Sequence, residues 1–136
     1  RGLFYLNGTS GYLPMGFIQA LHAMGYRALP LAGPDDMKVV DVGIQRTLEA
    51  IAEQGSGSVI LASHDADFLP QIQDLLENGH RVGIMCFKEF LSSQFHELED
   101  LGLEIIDLEY DAHAFQVQLP RIHIIDIDDF DPFDYL

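Results

Sequence analysis

Apolar residues along the chain follow two alternating rhythms. Short unbroken runs predict strands: Gly2-Leu3-Phe4-Tyr5-Leu6, Arg27 to Leu31, Ser58-Val59-Ile60-Leu61-Ala62, Arg81 to Phe87 and Glu104 to Leu108. Between them stand stripes spaced by three and four residues: Phe17, Leu21 and Met24; Val40, Ile44, Leu48 and Ile51; Ile72, Leu75 and Leu76; Leu91, Phe95, Leu98 and Leu101. This spacing puts each set on one side of a helix. Gly25, Gly55, Gly79 and Gly102 follow the stripes, as glycine does where a chain leaves a helix, and Pro70 suits a first helical turn. Asn7-Gly8-Thr9-Ser10-Gly11 and Ala32-Gly33-Pro34-Asp35-Asp36 read as turn and loop.

Strands alternating with helices of this length imply crossovers, hence a mainly parallel sheet, and the expectation is a three-layer α/β/α sandwich over residues 1–110. The run Ser58 to Ala62 is apolar throughout, as a strand covered on both faces should be. No internal repeat, low-complexity linker or second domain interrupts this stretch. After Tyr110 the alternation breaks, leaving residues 111–136 as a C-terminal extension. Gln116 to Leu119 reads as extended, and a strand is predicted over 121–127, from Arg121-Ile122-His123-Ile124-Ile125, before an acidic tail.

Composition narrows the class. A chain of 136 residues fits one domain with a real core, and 48% hydrophobic residues exclude a disordered acidic tail. No apolar run reaches the roughly 20 residues of a membrane span, and no signal-peptide pattern opens the chain. Arg1 in place of an initiator Met fits a fragment or a processed product. The single Cys86 sits in an apolar run, reads as a buried, inert thiol and fits a reducing cytoplasm. Seven Lys and Arg face 22 Asp and Glu, a net charge of −15, and the cations are scattered. That argues against tight, metal-free binding to nucleic acid, but not against a site where bound cations supply the positive charge.

The candidate chemistry is therefore acidic. Asp65 and Asp67, in Ser63-His64-Asp65-Ala66-Asp67-Phe68, follow an apolar strand directly and precede a helix. In parallel sheets, ligands bind beyond the carboxyl ends of strands. Two carboxylates this close repel unless a cation or proton intervenes, and hard oxygen ligands suit Mg²⁺ or Mn²⁺. The plainer alternative has Asp67 capping the following helix and Asp65 capping or solvated. Asp41, in Lys38-Val39-Val40-Asp41-Val42-Gly43, is either a cap at a helix start or a further ligand.

Lys-x-Val-Asp-Val at 38–42, Val-Ile-Leu-Ala-Ser-x-Asp-x-Asp-Phe at 59–68 and Gly79-His80-Arg81-Val82 together resemble the NYN group of PIN-like nucleases. The resemblance runs from about Gly2 to Leu108. It implies a PIN-like fold in which acids converge on a Mg²⁺ or Mn²⁺ site that hydrolyses RNA phosphodiesters. Carried over by position, it marks Asp41, Asp65 and Asp67 as catalytic and metal-binding, with Ser63 beside them and Asp100 at a weaker accessory position. Two departures stand out. Thr47 occupies a place where the family has an aspartate, and the chain begins at the family's second strand, without the strand that carries another acid.

The segment Ile122 to Phe130 has the shape of that absent strand, with Asp126 at its acidic position. The resemblance thus raises the expectation that it fills a central slot, as in a circular permutation or by strand exchange in a homodimer. The alternative is an edge strand with a solvated tail. The tail also matches, poorly, the opening motif of haloacid-dehalogenase-type phosphotransferases, and a receiver-type domain fits less well still, because no acidic pair opens the chain.

On the nuclease expectation the metal activates a water for in-line attack on RNA phosphate, with Asp126 or a missing acid completing the site. Lys38 and Arg46 are candidate phosphate contacts, or plain surface charges. Tyr5, Tyr12 and Phe68 are candidate stacking residues, with a core role the alternative for Phe68. His64 is either a proton-transfer group or a solvent-facing loop histidine. The rival function is a degenerate NYN domain acting as a protein-interaction or regulatory module, which the charge of −15 suits.

Overall fold

The computed structural model describes residues 1–120 and 125–136. Five strands form, β1 (Gly2–Asn7), β2 (Tyr26–Leu31), β3 (Ser58–Ala62), β4 (Arg81–Cys86) and β5 (Glu104–Asp107). Three α-helices lie between them, α1 (Met15–Ala23), α2 (Val39–Glu53) and α3 (Leu69–Glu77). The fourth apolar stripe forms a 3₁₀ helix, Ser93–Leu101, in place of an α-helix. Buried Phe95 and Leu98 are three residues apart, a spacing that superposes in 3₁₀ geometry. Gly102 ends it in the left-handed conformation at φ 101°.

Every described strand pair is parallel, so the chain is an α/β protein as the alternation predicts. The strands divide into two sheets, β1-β2 and β3-β4-β5. In the first, Gly2 to Asn7 run in register with Tyr26 to Leu31; in the second, Leu61 lies beside Ile84 and Ile84 beside Ile105. Helix α2 joins them, packing against β1, β2 and α3. A Cβ on Gly43 would run into Leu31 and Tyr5, so its absence lets α2 lie flush on the first sheet.

The core sits on one face of the second sheet. Leu61, Val82, Ile84 and Cys86 pack with Leu48, Phe68, Ile72, Leu75, Phe95 and Leu98. Ile72 and Leu75 are wholly buried. Cys86 is also buried, as its surroundings imply, and burial pushes its thiol pKa up.

Two expectations about coverage change. Ile60 points to the other face, beside Gly83, and is 61% exposed, so β3 is not covered on both sides. In α1 the buried residues are Ile18 and Leu21, while Phe17 and Met24 of the predicted stripe are exposed. Apolar residues on several sides of this helix let docking against β2 choose the face.

Of the strand predicted over 121–127, residues 121–124 lie outside the described residues. Ile125 and Asp126 carry no strand, and Ile127–Asp129 is a 3₁₀ turn. Gln116 to Leu119 likewise forms no strand. Among the described residues the extension adds no strand beside β1 or β3. No helix there is long and apolar enough to cross a membrane.

Candidate metal centre

The loop leaving β3 is shaped by its own side chains. The Ser63 hydroxyl accepts the backbone N–H of Asp65 at 3.1 Å, and Asp65 Oδ1 accepts the N–H of Asp67 at 2.9 Å. These bonds start a 3₁₀ turn, Ala66–Phe68, with Asp65 extended at its head (φ −78°, ψ 123°). The capping role therefore belongs to Asp65. Asp67 does not cap α3, whose N-cap position is Phe68 and carries no side-chain cap. Phe68 is 2% exposed and anchors the turn in the core, so its core role is the one the structure supports.

Asp41 lies in the first turn of α2, whose N-cap residue, Lys38, makes no side-chain cap. A carboxylate there meets the positive end of the helix dipole. The Gln45 amide of the same helix donates to the Asp67 carbonyl at 3.3 Å, tying α2 to the loop. Asp41, Asp65 and Asp67 each offer a carboxylate oxygen, and these oxygens lie within 4.8 Å of one another. The group is the meeting point of both acidic motifs.

Such a cluster needs positive charge. Lys38 supplies some: its Nζ stands 3.8 Å from Asp41 and 3.5 Å from Asp67. The lysine is exposed, so these pairs are weak and screened. Three carboxylates on two elements, Asp41 part-buried and the other two exposed, are a donor set suited to a hard divalent ion that keeps some of its waters.

The other predicted residues fall elsewhere. Asp126 is not in the group; its Oδ1 accepts the Asp128 N–H at 3.0 Å and heads its own turn. Asp100 is exposed on the 3₁₀ helix Ser93–Leu101, and Arg46 is exposed on α2; neither joins the cluster. Thr47, where the resemblance expects an acid, accepts the Tyr5 hydroxyl at 2.7 Å and donates to the Gly43 carbonyl at 2.8 Å. Tyr5 is thereby committed to joining β1 and α2, while Tyr12 is 88% exposed.

His64 is not a solvent-facing histidine. Its Nε2 accepts the Phe87 N–H at 2.8 Å, so in the neutral ring the proton sits on Nδ1. That bond occupies the nitrogen a general base would use and fastens the end of β3 to the end of β4. The ring lies parallel to Phe87 (6.0 Å between centroids, 4° between planes), with Phe90 edge-on to both. Phe115 stacks on Phe87 at 5.7 Å and 26°. No sequence spacing links these four rings.

Asp107, at the end of β5, also escapes sequence reasoning. It is 5% exposed and accepts the N–H groups of Lys88, Glu109 and Tyr110, each at 2.9 Å, which makes it a structural cap. Its own N–H donates to Asp111, and that bond, with Lys88 at 3.1 Å, holds the Asp111 carboxyl below the usual carboxylate range.

No family model matches this chain, and no curated protein or solved structure matches it either.

Proposed function

We propose that Asp41, Asp65 and Asp67 hold a Mg²⁺ or Mn²⁺ ion and that the protein is a metal-dependent ribonuclease-type phosphodiesterase of the NYN, PIN-like kind. The observation that carries this reading is the convergence of Asp41, from α2, with the two aspartates that follow β3. Parallel strands with the acids beyond a carboxyl end also support it. A bound ion of this type makes a nucleophile of its water at neutral pH and stabilises charge on the attacked phosphate. The chain's own part is to place the ligands. Asp65 Oδ1 fixes the turn and with it the position of the carboxylate. Lys38 offsets part of the charge on Asp41 and Asp67 in the ion's absence and is placed to turn to a phosphate oxygen once they are ligated.

A second reading is a degenerate domain of the same kind, working as a protein-interaction or regulatory module. It is favoured by Thr47, whose hydroxyl is spent on Tyr5 and Gly43 where the family has an acid. Calorimetric Mn²⁺ titration and a single-stranded RNA cleavage assay, each on wild type and Asp65→Asn, separate the two. An amide oxygen at 65 still accepts the Asp67 N–H, so the variant keeps its turn while losing charge. The nuclease reading expects binding and cleavage by the wild type and sharp loss of both in the variant. Metal binding without cleavage selects the module, and a folded wild type showing neither overturns the metal centre.

A further inference from the structure

Four rings gather beyond the ends of β3, β4 and β5, and the charges around them are mainly of one sign. Phe87 is half-buried between near-parallel partners, His64 and Phe115. Phe90 stands edge-on to Phe87 and His64. Phe90 and Phe115 remain 49% and 41% exposed. Apolar surface rimmed by polar groups in this way marks a place of contact with another molecule.

The rim decides what that molecule carries. The connections after β4 and β5, which supply Phe87, Phe90 and Phe115, also supply Glu89, Glu109 and Asp111, and no lysine or arginine stands between Lys88 and Arg121. Buried Asp107 ties the two connections together by accepting the N–H groups of both Lys88 and Glu109. Lys88 itself displays what these carboxylates take: its ammonium group, beside Phe87, lies 3.1 Å from Asp111. The rings add to the same preference, because the face of an aromatic ring is the negative pole of its quadrupole. A polyanion is repelled here, and a purely apolar partner would bury the carboxylates without answering their charge. A cation that lies flat on a ring satisfies both. Arginine fits better than lysine, since its guanidinium is planar and weakly hydrated and forks to a carboxylate while it stacks.

We propose that Phe90 and Phe115, rimmed by Glu89, Glu109 and Asp111, dock an arginine-bearing segment of a partner protein. The docking surface uses none of the carboxylates of the metal centre, so it stands whether or not that centre cleaves RNA. To the protein-interaction reading it adds a partner of defined chemistry. Lys88 acts in it as a built-in competitor, holding Asp111 until an arginine displaces it.

The test is fluorescence anisotropy on the full chain in EDTA and about 0.1 M KCl, where charges more than about 10 Å away are screened. The probes are labelled, end-capped peptides in which glycine alternates with arginine or, in the second probe, with lysine. The arginine peptide binds more tightly than the lysine peptide of equal charge. Phe90→Ala and Phe115→Ala each weaken its binding by about two- to fivefold, the scale of one exposed cation–π contact, and together they abolish the preference for arginine. Phe90→Trp, which keeps a ring, tightens binding, and Lys88→Gln, which releases Asp111, does the same. Glu89→Gln weakens it, whereas Glu53→Gln, at the end of α2 away from Asp41, leaves it unchanged. No binding of either peptide, equal affinity for the two, or unchanged affinity in both alanine variants overturns the inference. Equal losses in the Glu53 and Glu89 variants overturn it as well, since net charge alone would then attract the peptide.

Discussion

Asp65 and Asp126 head nearly the same small structure. Both are extended, at φ −78°, ψ 123° and φ −63°, ψ 136°. Each accepts through Oδ1 the N–H two residues on, at 2.9 and 3.0 Å, and each opens a 3₁₀ turn with a phenylalanine at or just past its end. What differs is the setting. Phe68 is 2% exposed, whereas Phe130 is 45% exposed. The first turn meets Asp41 and Lys38 from α2; the second contributes nothing to that cluster. An aspartate-headed turn is thus a local product of side-chain-to-backbone bonding. A candidate site arises only where the fold brings a second element to it.

The largest test of that contrast is the anchor. Phe68→Ala removes a buried ring and should destabilise the protein by about 3–5 kcal/mol, while Phe130→Ala should stay within about 0.5 kcal/mol. Urea unfolding of the two variants measures both, and equal effects would break the contrast. Next come the carboxylates. Asp41→Asn should weaken Mn²⁺ binding by at least about tenfold, the scale seen when even outer-shell metal partners are lost, and Asp126→Asn should leave it unchanged. A comparable loss in the Asp126 variant would place the second turn at the centre after all.

A smaller effect separates the two jobs of Asp65. On the proposed metal centre, Asp65→Ala loses a cap worth about 1 kcal/mol and also a ligand, whereas Asp65→Asn loses the proposed ligand alone. Thermal melts with and without Mn²⁺ tell these apart; a melt that falls equally in both variants would mean the charge itself holds the turn. The smallest effect concerns Asp111, whose carboxyl is held low by the Asp107 N–H and then by Lys88. A lowered pKa adds stability that is present above the unfolded value, near 3.8, and is lost as pH falls through the folded one. As pH falls below that unfolded value, Asp111→Asn should therefore flatten the acid limb of the melting curve slightly, and an unchanged limb would dismiss the pairing.

How far these features could be read beforehand depends on the range of the physics involved. β3 was legible residue for residue, because an apolar run bounded by glycine and serine is a local signal. That Ile60 in it faces water was not, since coverage depends on what packs above. The stripe in α1 misled because Phe17, Ile18 and Leu21 are all apolar and only contact with β2 selects among them. Asp65 and Asp67 were visible as a pair at a strand end. Their union with Asp41 was suggested by resemblance, and the assembly of His64 with Phe87, Phe90 and Phe115 was invisible, as no periodicity connects residues on three different connections.

Ile60 has one more consequence, which belongs to colloid science. An apolar side chain exposed on a parallel sheet is an adhesive spot, and two molecules that met there could bury it mutually. A charge of −15 on each molecule opposes that meeting at long range. The opposition reaches about 10 Å in 0.1 M salt and only about 3 Å in 1 M. The acidity of this chain thus acts as its dispersant, and a concentrated solution of it should tolerate warmth better than brine.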